Sequence, residues 1–349
     1  MQIHGGLPLG ELAELGIEPN SVLDLSTNLS PFGAHPDVLR AVRECDVEAY
    51  PDPDSGAAKR AIACALDESP ERVVLGNGSV ELLWSLLGVL GDRGRPLLLV
   101  SPTFSEPEAA ARSRGLAVAR VALDEALAFA PDPAAISEAI TETRPFAIYL
   151  CHPNNPTGTA LEHAALEALI GSHPSVPFIL DEAFLSLSEC HADSKRALPP
   201  NAIRVRSLTK DHSLAGLRVG YALAPPELAR KLEANRPPWT VSAPAQAATV
   251  AATAHPEHVA TTRSRLLELR SMLERALAAR GVRTQPSKTG FFLAETPNAE
   301  DADALRARWL ARHRVLVRSA ASFGLPRHLR LPACTPEAQA RLLAALGDR

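Results

Sequence analysis

The stretch Val-Arg-Ser-Leu-Thr-Lys at residues 205–210, followed by Gly-Leu-Arg-Val-Gly-Tyr at 216–221, decides how the rest of this chain is interpreted. A mainly apolar run, residues 202–205, leads into Ser207, and a lysine follows three positions later. The chain has only five lysines among its 36 lysine and arginine residues, so Lys210 stands out. Of the two long cations, only the amine of lysine condenses with an aldehyde to form a Schiff base. Taken alone, Lys210 is more simply explained as a solvated loop lysine.

The same pattern recurs along the chain, since short apolar runs are followed at once by polar clusters. The runs are residues 96–100, 146–150, 178–180 and 202–205, and the clusters are 101–104, 151–158, 181–184 and 207–210. Non-alternating runs separated by helical stretches are typical of a parallel sheet covered on both faces. We therefore predict an α/β fold with a mainly parallel sheet sandwiched by helices. The clusters should converge on one pocket, because the carboxyl ends of parallel strands share an edge.

The length of 349 residues predicts one large and one smaller domain. We expect an N-terminal arm at 1–45 that packs on the small domain, a large ligand-binding domain at 46–235, and a small α+β domain at 236–349. A helical region at 245–280 precedes the strand candidates at 291–293, 315–317 and 329–331, and this order indicates α+β architecture.

Composition excludes several classes of function. A net charge of -4 gives no electrostatic footprint for nucleic acid or an acidic membrane surface. The longest apolar runs fall far short of the roughly 20 residues that a membrane span needs. The first ten residues lack the features of a secretion signal, and five cysteines without C-x-x-C spacing indicate a reducing compartment. We predict a cytoplasmic protein with no nucleic-acid partner, no membrane partner and no metal site.

Residues 73–81 predict a strand, a glycine turn and a helix with Ser79 as its N-cap. Such a junction directs backbone N–H groups and the positive end of a helix dipole at an anion. The third glycine of G-x-G-x-x-G is missing, so a dinucleotide fingerprint is not supported. An ordinary capped helix explains the junction as well as a phosphate site does.

The clusters together match the needs of a phosphorylated aldehyde with a pyridinium ring, that is, pyridoxal phosphate. A buried aspartate keeps such a ring nitrogen protonated, and Asp181 is the candidate, although it could also cap a helix. Asn155 can donate to the ring oxygen or simply form a turn, and Phe104 can stack on the ring or pack in the core. The candidate phosphate ligands are Ser79, Ser207, Arg218 and the backbone amides near Gly78.

Four motifs resemble those of the fold-type I pyridoxal-phosphate enzymes. They are Pro-Asn-Asn-Pro-Thr-Gly at 153–158, Asp-Glu-Ala-Phe at 181–184, Ser-x-x-Lys at 207–210 and Gly-x-Arg at 216–218. The most similar branch holds histidinol-phosphate aminotransferase and L-threonine-O-3-phosphate decarboxylase, and the resemblance spans the chain from His4 to Arg330. It implies that family's fold, with pyridoxal 5'-phosphate bound in the large domain.

Within that branch, the chain is more similar to the decarboxylases at residues 4–6, 23–31 and 237–242. Phe184 also stands where the aminotransferases usually carry a tyrosine. The resemblance therefore implies a lyase of cobalamin biosynthesis, which converts L-threonine O-3-phosphate to (R)-1-amino-2-propanol O-2-phosphate. The alternative is an aminotransferase that acts on histidinol phosphate or another phosphorylated amine. A third interpretation is a cofactor-binding sensor domain without turnover.

The resemblance also implies a role for individual residues. Lys210 would hold the cofactor aldehyde and move the proton at the substrate's Cα, while Asp181 would hold the ring nitrogen. The implied substrate-binding residues are Arg330 for the carboxylate and Arg318, His4 and Asn28 for the distal phosphate. Tyr50 would reach the cofactor phosphate of a neighbouring subunit, which predicts a homodimer with shared active sites. One departure is Asp211-His212, where the decarboxylases usually carry aromatic residues after the lysine.

Overall fold

A computed structural model describes residues 5–347, so the predicted ligand His4 lies outside the described residues. The α-helices of this range are α1 (Leu9–Glu14), α2 (Pro36–Glu44), α3 (Gly56–Leu66), α4 (Gly78–Leu90), α5 (Glu106–Ser113), α6 (Pro133–Thr143), α7 (His163–Ser172), α8 (Leu208–Asp211), α9 (Pro226–Ala234), α10 (Ala243–Thr253), α11 (Pro256–Ala278), α12 (Ala302–His313) and α13 (Pro336–Gly347). The strands are β1 (Leu23–Leu25), β2 (Val73–Gly76), β3 (Leu97–Ser101), β4 (Val118–Ala122), β5 (Ala147–Cys151), β6 (Phe178–Asp181), β7 (Ala202–Ser207), β8 (Gly220–Leu223), β9 (Phe291–Glu295), β10 (Val315–Ser319) and β11 (His328–Pro332).

Seven strands form the larger sheet, in the order β2-β8-β7-β6-β5-β3-β4. The five strands from β7 to β4 run parallel, while β8 is antiparallel to both of its neighbours. The predicted α/β class with a mainly parallel sheet is therefore confirmed. The four polar clusters that follow β3, β5, β6 and β7 consequently lie along one edge of this sheet.

Alternation along the strands sends buried side chains to both faces of the larger sheet. Leu97 and Tyr149 pack on one face with Leu86 of α4, in a cluster that extends to α5 and α9. Leu98 and Ile148 pack on the other face, in the cluster that includes helices α6 and α7. Helices on both faces bury every one of the central strands, which explains why these runs are apolar without alternation.

The smaller sheet has the order β1-β10-β11-β9. Strand β1 pairs with β10 in parallel, with Leu25 opposite Val317, so an N-terminal segment joins a sheet built from the end of the chain. Buried residues of α11, α12 and α13 complete the core beside this sheet. The boundaries of the domains at residues 45 and 235 stay a prediction.

Two local elements differ from expectation. The helical region at 245–280 is divided into α10 and α11. Pro256 disfavours helical geometry at the residue before it, His255, and is itself the first residue of α11. Helix α4 begins at Gly78 with Asn77 rather than the predicted Ser79 as its N-cap, and the backbone N–H of Asn77 donates to Glu81 at 3.2 Å. None of the helices within residues 5–347 combines the length and apolarity needed to cross a bilayer.

Candidate active site

A cavity of about 420 Å³ lies where the polar clusters meet. Most residues predicted for the site line it, namely Asn28, Ser79, Phe104, Asn155, Asp181, Ser207, Lys210, Arg218, Arg318 and Arg330. The sides of the cavity come from both sheets, because β10 and β11 contribute Arg318 and Arg330 while Asn155, Asp181 and Lys210 lie at the ends of β5, β6 and β7. The convergence expected from the strand pattern is therefore what the structure contains.

Lys210 lies on the single turn α8 at the carboxyl end of β7. Its ammonium nitrogen is 5.9 Å from the centre of the Phe184 ring. Burial, with Arg330 and Arg218 nearby, lowers the pKa of Lys210 to about 8. A lysine in this environment has a substantial neutral fraction near neutral pH, and the neutral amine is the form that attacks an aldehyde.

Asp181 ends β6 and is buried, with only 3% of the residue exposed, at the cavity wall. One carboxylate oxygen accepts from the Tyr149 hydroxyl at 2.8 Å and the other accepts from the backbone N–H of Ala183 at 3.1 Å. Burial raises the pKa of Asp181, while the Tyr149 hydroxyl opposes that rise. Sequence reasoning missed Tyr149, since a tyrosine within an apolar run is most simply interpreted as part of the core.

The N-terminus of α4 and the neighbouring Gly220 form an anion-binding cradle. A residue larger than glycine does not fit at either Gly78 or Gly220. Gly78 has a φ of +81°, and a Cβ there would lie 2.7 Å from Nη2 of Arg218. A Cβ on Gly220 would lie 2.7 Å from the backbone nitrogen of Ser79. The guanidinium of Arg218 and the first turn of α4 can therefore approach one anion together. Ser207 adds a hydroxyl to the cavity wall, 2.6 Å from that of Thr209.

Arg330 joins three segments that are distant in sequence. Its Nη1 donates to Oδ1 of Asn155 and its Nη2 to the carbonyl oxygen of Ser26, each at 2.7 Å. Its Nε is buried without a hydrogen-bond partner among residues 5–347. Burial, followed by the effect of Arg318, lowers the pKa of Arg330 to about 9, and Asp24 partly compensates.

Arg318 and Arg330 are directly opposite one another on β10 and β11. Both are buried, and Nη2 of Arg318 donates to the Ser322 hydroxyl at 2.9 Å. Like charges placed across an antiparallel pair repel each other, so this arrangement favours an anion between them. Asn28 also lines the cavity, and both polar atoms of its side chain are buried without a partner among the described residues.

Tyr50 does not line the cavity. Its side chain is 81% exposed and stacks on Trp239 with ring centres 4.7 Å apart.

The wall of the cavity near α4 also includes an acidic residue that was not predicted, Glu106. Phe104 lines the cavity beside it, whereas Gly78 lies behind the wall. The Glu106 carboxylate accepts from the indole nitrogen of Trp84 at 2.8 Å, so an acidic group is held at the rim by a defined contact.

The Asp211-His212 pair is directed away from the cavity and contacts other parts of the core. Asp211 is fully buried near Arg206, and burial raises its pKa to about 7. His212 faces His258, with nearly parallel rings 6.2 Å apart. This departure from the decarboxylase pattern therefore affects the support beneath Lys210 rather than the surface that faces a substrate.

These residues fit pyridoxal phosphate. Asp181 is a buried carboxylate that has no salt bridge to any residue within 5–347, and a pyridinium nitrogen would supply the missing positive charge. Lys210 offers an amine to the aldehyde, and the α4 cradle with Arg218 offers N–H groups to the phosphate. Lys210, Arg218, Arg318 and Arg330 outnumber the acidic groups of the lining, Asp181 and Glu106. The cavity therefore has cationic groups beyond those that one phosphate requires.

Comparisons with known proteins agree with this chemistry. The family model of class I and II aminotransferases matches residues 20–346. A histidinol-phosphate aminotransferase of Anaeromyxobacter sp. is 33% identical over 350 residues, covering 98% of this chain and 94% of that protein. One from Moorella thermoacetica is also 33% identical and covers 98% of this chain and 89% of that protein.

Solved structures show the same fold. The histidinol-phosphate aminotransferase of Sinorhizobium meliloti, in complex with pyridoxal-5'-phosphate, superposes with a TM-score of 0.88 at 24% identity, covering 99% of this chain and 94% of that one. The L-threonine-O-3-phosphate decarboxylase of Porphyromonas gingivalis superposes with a TM-score of 0.77 at 25% identity, covering 92% of this chain and 97% of that one.

The expected decarboxylation of threonine phosphate is wrong, and the assignments to lyases and to cobalamin biosynthesis are dropped with it. The relatives at 33% identity across the chain are histidinol-phosphate aminotransferases, whereas the decarboxylase is a more distant structural neighbour. The stretches that favoured the decarboxylase cover few positions, and Phe184 differs from a tyrosine by a single hydroxyl.

Pyridoxal 5'-phosphate is the cofactor, as the family match and the neighbouring complex indicate. The architecture is that of the fold-type I enzymes, with the larger sheet carrying Lys210 and Asp181 at the ends of adjacent strands. With its family model spanning residues 20–346 and its relatives aligned over 98% of its length, this chain belongs to the family of class I and II aminotransferases.

Proposed function

We propose that this protein transfers the amino group of histidinol phosphate, or of a similar phosphorylated amine, to a 2-oxo acid. The observation that carries the proposal is the buried pair Arg318 and Arg330 in the same cavity as Lys210. The names of its relatives at 33% identity support the same substrate. Such a reaction places two different anionic substrates in one cavity in turn, so an excess of cationic groups is expected.

Some residues of the site would hold or transfer protons, and others would hold the reacting groups in position. When bound, pyridoxal phosphate supplies an aldehyde that takes up the amino group and a ring that accepts the electron pair released at Cα. Asp181 holds the proton on the ring nitrogen, and Tyr149 holds that carboxylate in place. The lowered pKa of Lys210, about 8, suits its Nζ for removing the proton from the substrate's Cα.

The two arginines would bind different parts of the substrates. Arg330 has a planar guanidinium fixed by Asn155 and Ser26, and a fork of this kind suits the carboxylate of the 2-oxo acid. Arg318, together with the unpartnered amide of Asn28, would bind the phosphate of the amine. His4 would join them, as the family resemblance implies.

The proposal is tested by supplying two phosphorylated substrates side by side. Purified holoenzyme receives histidinol phosphate with a 2-oxo acid in one reaction and threonine phosphate in another. We expect a keto product and an equal amount of new amino acid in the first reaction, and no carbon dioxide in the second. Carbon dioxide without amino-acid formation would contradict the proposal. Lys210→Ala, which should retain the fold but lose covalently reducible cofactor, is the inactive control.

We further propose that the protein acts as a homodimer in which Tyr50 contacts the cofactor phosphate of the neighbouring subunit. The rings of Tyr50 and Trp239 stack on the surface, and Val47, three residues before Tyr50, is 72% exposed. Aromatic and aliphatic groups exposed together are typical of a surface that another chain covers.

Mixed dimers test the shared site. Tyr50→Phe alone should weaken cofactor retention, and Lys210→Ala alone should abolish turnover. When the two variants are mixed under conditions of subunit exchange, one of the two sites in each mixed dimer carries both native residues. Partial recovery of activity is therefore expected, whereas no recovery despite demonstrated exchange would show that each chain forms its site alone.

A further inference from the structure

A group of three potential metal ligands lies outside the candidate active site. Glu125, Glu295 and His328 each offer one ligand atom, and these atoms lie within 4.8 Å of one another. Glu295 and His328 are directly opposite on β9 and β11, whereas Glu125 belongs to the short turn that follows β4. The group therefore brings together one strand pair of the smaller sheet and one loop of the larger sheet.

Of the three residues, His328 gives the strongest indication of a bound ion. Only 2% of the residue is exposed, yet its Nε2 has no hydrogen-bond partner among residues 5–347. That nitrogen lies 3.4 Å from Oε1 of Glu125, within ion-pair distance but without the geometry of a hydrogen bond. The Phe129 ring meets the imidazole edge-on at 6.2 Å, so the ring has an apolar neighbour on another side. A buried imidazole nitrogen without a partner is costly unless something else binds it.

We propose that Glu125, Glu295 and His328 bind a divalent transition-metal ion of the zinc class. Zinc takes imidazole nitrogen and carboxylate oxygen together, and three protein ligands with one water complete its tetrahedral sphere. Magnesium and calcium prefer oxygen ligands alone, so the buried imidazole disfavours them. Tetrahedral ligands at about 2.1 Å from zinc lie roughly 3.4 Å apart. The Glu125 side chain is 54% exposed and can move through the remaining distance.

The carboxylate of Glu295 is already oriented for this task. Arg283 donates to its Oε2 from Nε at 3.0 Å and from Nη2 at 2.6 Å, which leaves Oε1 for a metal. Outer partners that orient a ligating carboxylate are a general feature of metal sites. The site also lies close to the cavity without belonging to it, because His328 is two residues, about 7 Å of strand, from Arg330 on the same face of β11.

A second group of possible ligands, His35, His255 and Glu257, carries less weight. The two ring nitrogens of His255 are already paired, Nδ1 with Glu257 at 3.0 Å and Nε2 with Asp37 at 3.1 Å. The His35 ring is stacked on that of His255, with centres 3.6 Å apart, so the in-plane lone pairs of the two rings do not converge on one point. This group serves as the competing location in the test.

Zinc chloride is titrated into chelator-treated holoenzyme by calorimetry, without substrate, and thermal unfolding is followed in parallel. The proteins compared are the native chain, Glu125→Gln, His328→Gln, His255→Gln and Glu142→Gln. Glu142 is exposed on α6 and serves as the matched control for the loss of one surface carboxylate.

We expect one zinc ion per chain and a rise in the midpoint of thermal unfolding. Affinity should fall at least tenfold in Glu125→Gln and in His328→Gln, and should be unchanged in Glu142→Gln and His255→Gln. Glu125→Gln keeps the test valid if His328→Gln fails to fold, because Glu125 lies in an exposed turn. The proposal is overturned if the native chain shows no saturable binding, or if binding survives in Glu125→Gln but is lost in His255→Gln.

Discussion

The hydroxyl of Tyr149 is expected to tune the carboxylate of Asp181, which we propose holds the cofactor ring, and Tyr149→Phe removes that hydroxyl alone. The donor lies 2.8 Å from Oδ2 of Asp181, and both side chains are fully buried. Burial and the neighbouring Asp181 raise the pKa of Tyr149 well above its usual value, so the hydroxyl stays protonated and donates at every working pH. The hydroxyl contacts Asp181 directly, without an intervening water. Phenylalanine fills nearly the same space as tyrosine, so the substitution changes little besides this hydrogen bond.

The size of the effect follows from the value of a hydrogen bond to a charged group. Such a bond contributes about 1.5–3 kcal/mol. If that stabilisation is needed to keep Asp181 charged and the ring nitrogen protonated during reaction, kcat should fall roughly 10- to 150-fold. The direction of the pH effect follows as well. Loss of a donor favours the neutral form of Asp181, so its pKa rises further and the acid limb of the kcat profile moves to higher pH.

Steady-state kinetics across pH, with the phosphorylated amine and the 2-oxo acid, measure both changes. Tyr221→Phe is the matched control, because Tyr221 is another buried tyrosine, placed on β8 opposite Arg206 of β7 rather than against Asp181. That control should lose stability without a shift in the pH profile. The reasoning is refuted if Tyr149→Phe retains kcat within twofold and an unchanged acid limb, or if both variants shift the limb equally.

Three further outcomes are expected. Gly220→Ala should weaken cofactor retention at least tenfold, measured by dialysis, because a Cβ would lie 2.7 Å from the backbone nitrogen of Ser79 in the α4 cradle. Arg318→Gln should raise KM for the phosphorylated amine about tenfold or more with a smaller change in kcat, which steady-state kinetics would measure. Asp211→Asn should change how stability depends on pH. The folded-state pKa of Asp211, about 7, exceeds its ordinary value of 3.8, so the native chain binds the proton more tightly when folded and loses stability as pH rises between these values. The variant should lack this loss and unfold at a higher temperature than the native chain at pH 8, though not at pH 4.

The centre of the candidate site could be predicted from sequence because topology brings it together. Phe104, Asn155 and Lys210 follow β3, β5 and β7, Asp181 ends β6, and all four residues line the cavity. No knowledge of individual contacts is needed for this prediction, since the carboxyl ends of parallel strands share one edge. The prediction therefore depends only on recognising short apolar runs that end in polar residues.

Contacts that depend on register could not be predicted in this way. Tyr149 is two residues before Cys151, and Cys151 is directly opposite Asp181, so the phenol reaches the carboxylate diagonally across the pair. The contact of Arg330 with the carbonyl of Ser26 joins positions 304 residues apart, and it depends on β1 pairing with β10. Apolar periodicity assigns a residue to a face but does not identify the residue across from it.

Neither the sequence motifs nor the strand register determines whether the substrate's Cα loses carbon dioxide or a proton. Phe184, which favoured the decarboxylase, packs on Phe291 with ring centres 4.8 Å apart, and the missing hydroxyl forgoes one hydrogen bond of about 0.5–1.5 kcal/mol. An amino alcohol phosphate such as histidinol phosphate has no carboxylate on the reacting carbon, so only a proton can leave from it. With the proposed roles of Arg318 and Arg330, the outcome would depend on which anions they bind, and small displacements of their guanidinium groups would change it without any change at Lys210 or Asp181.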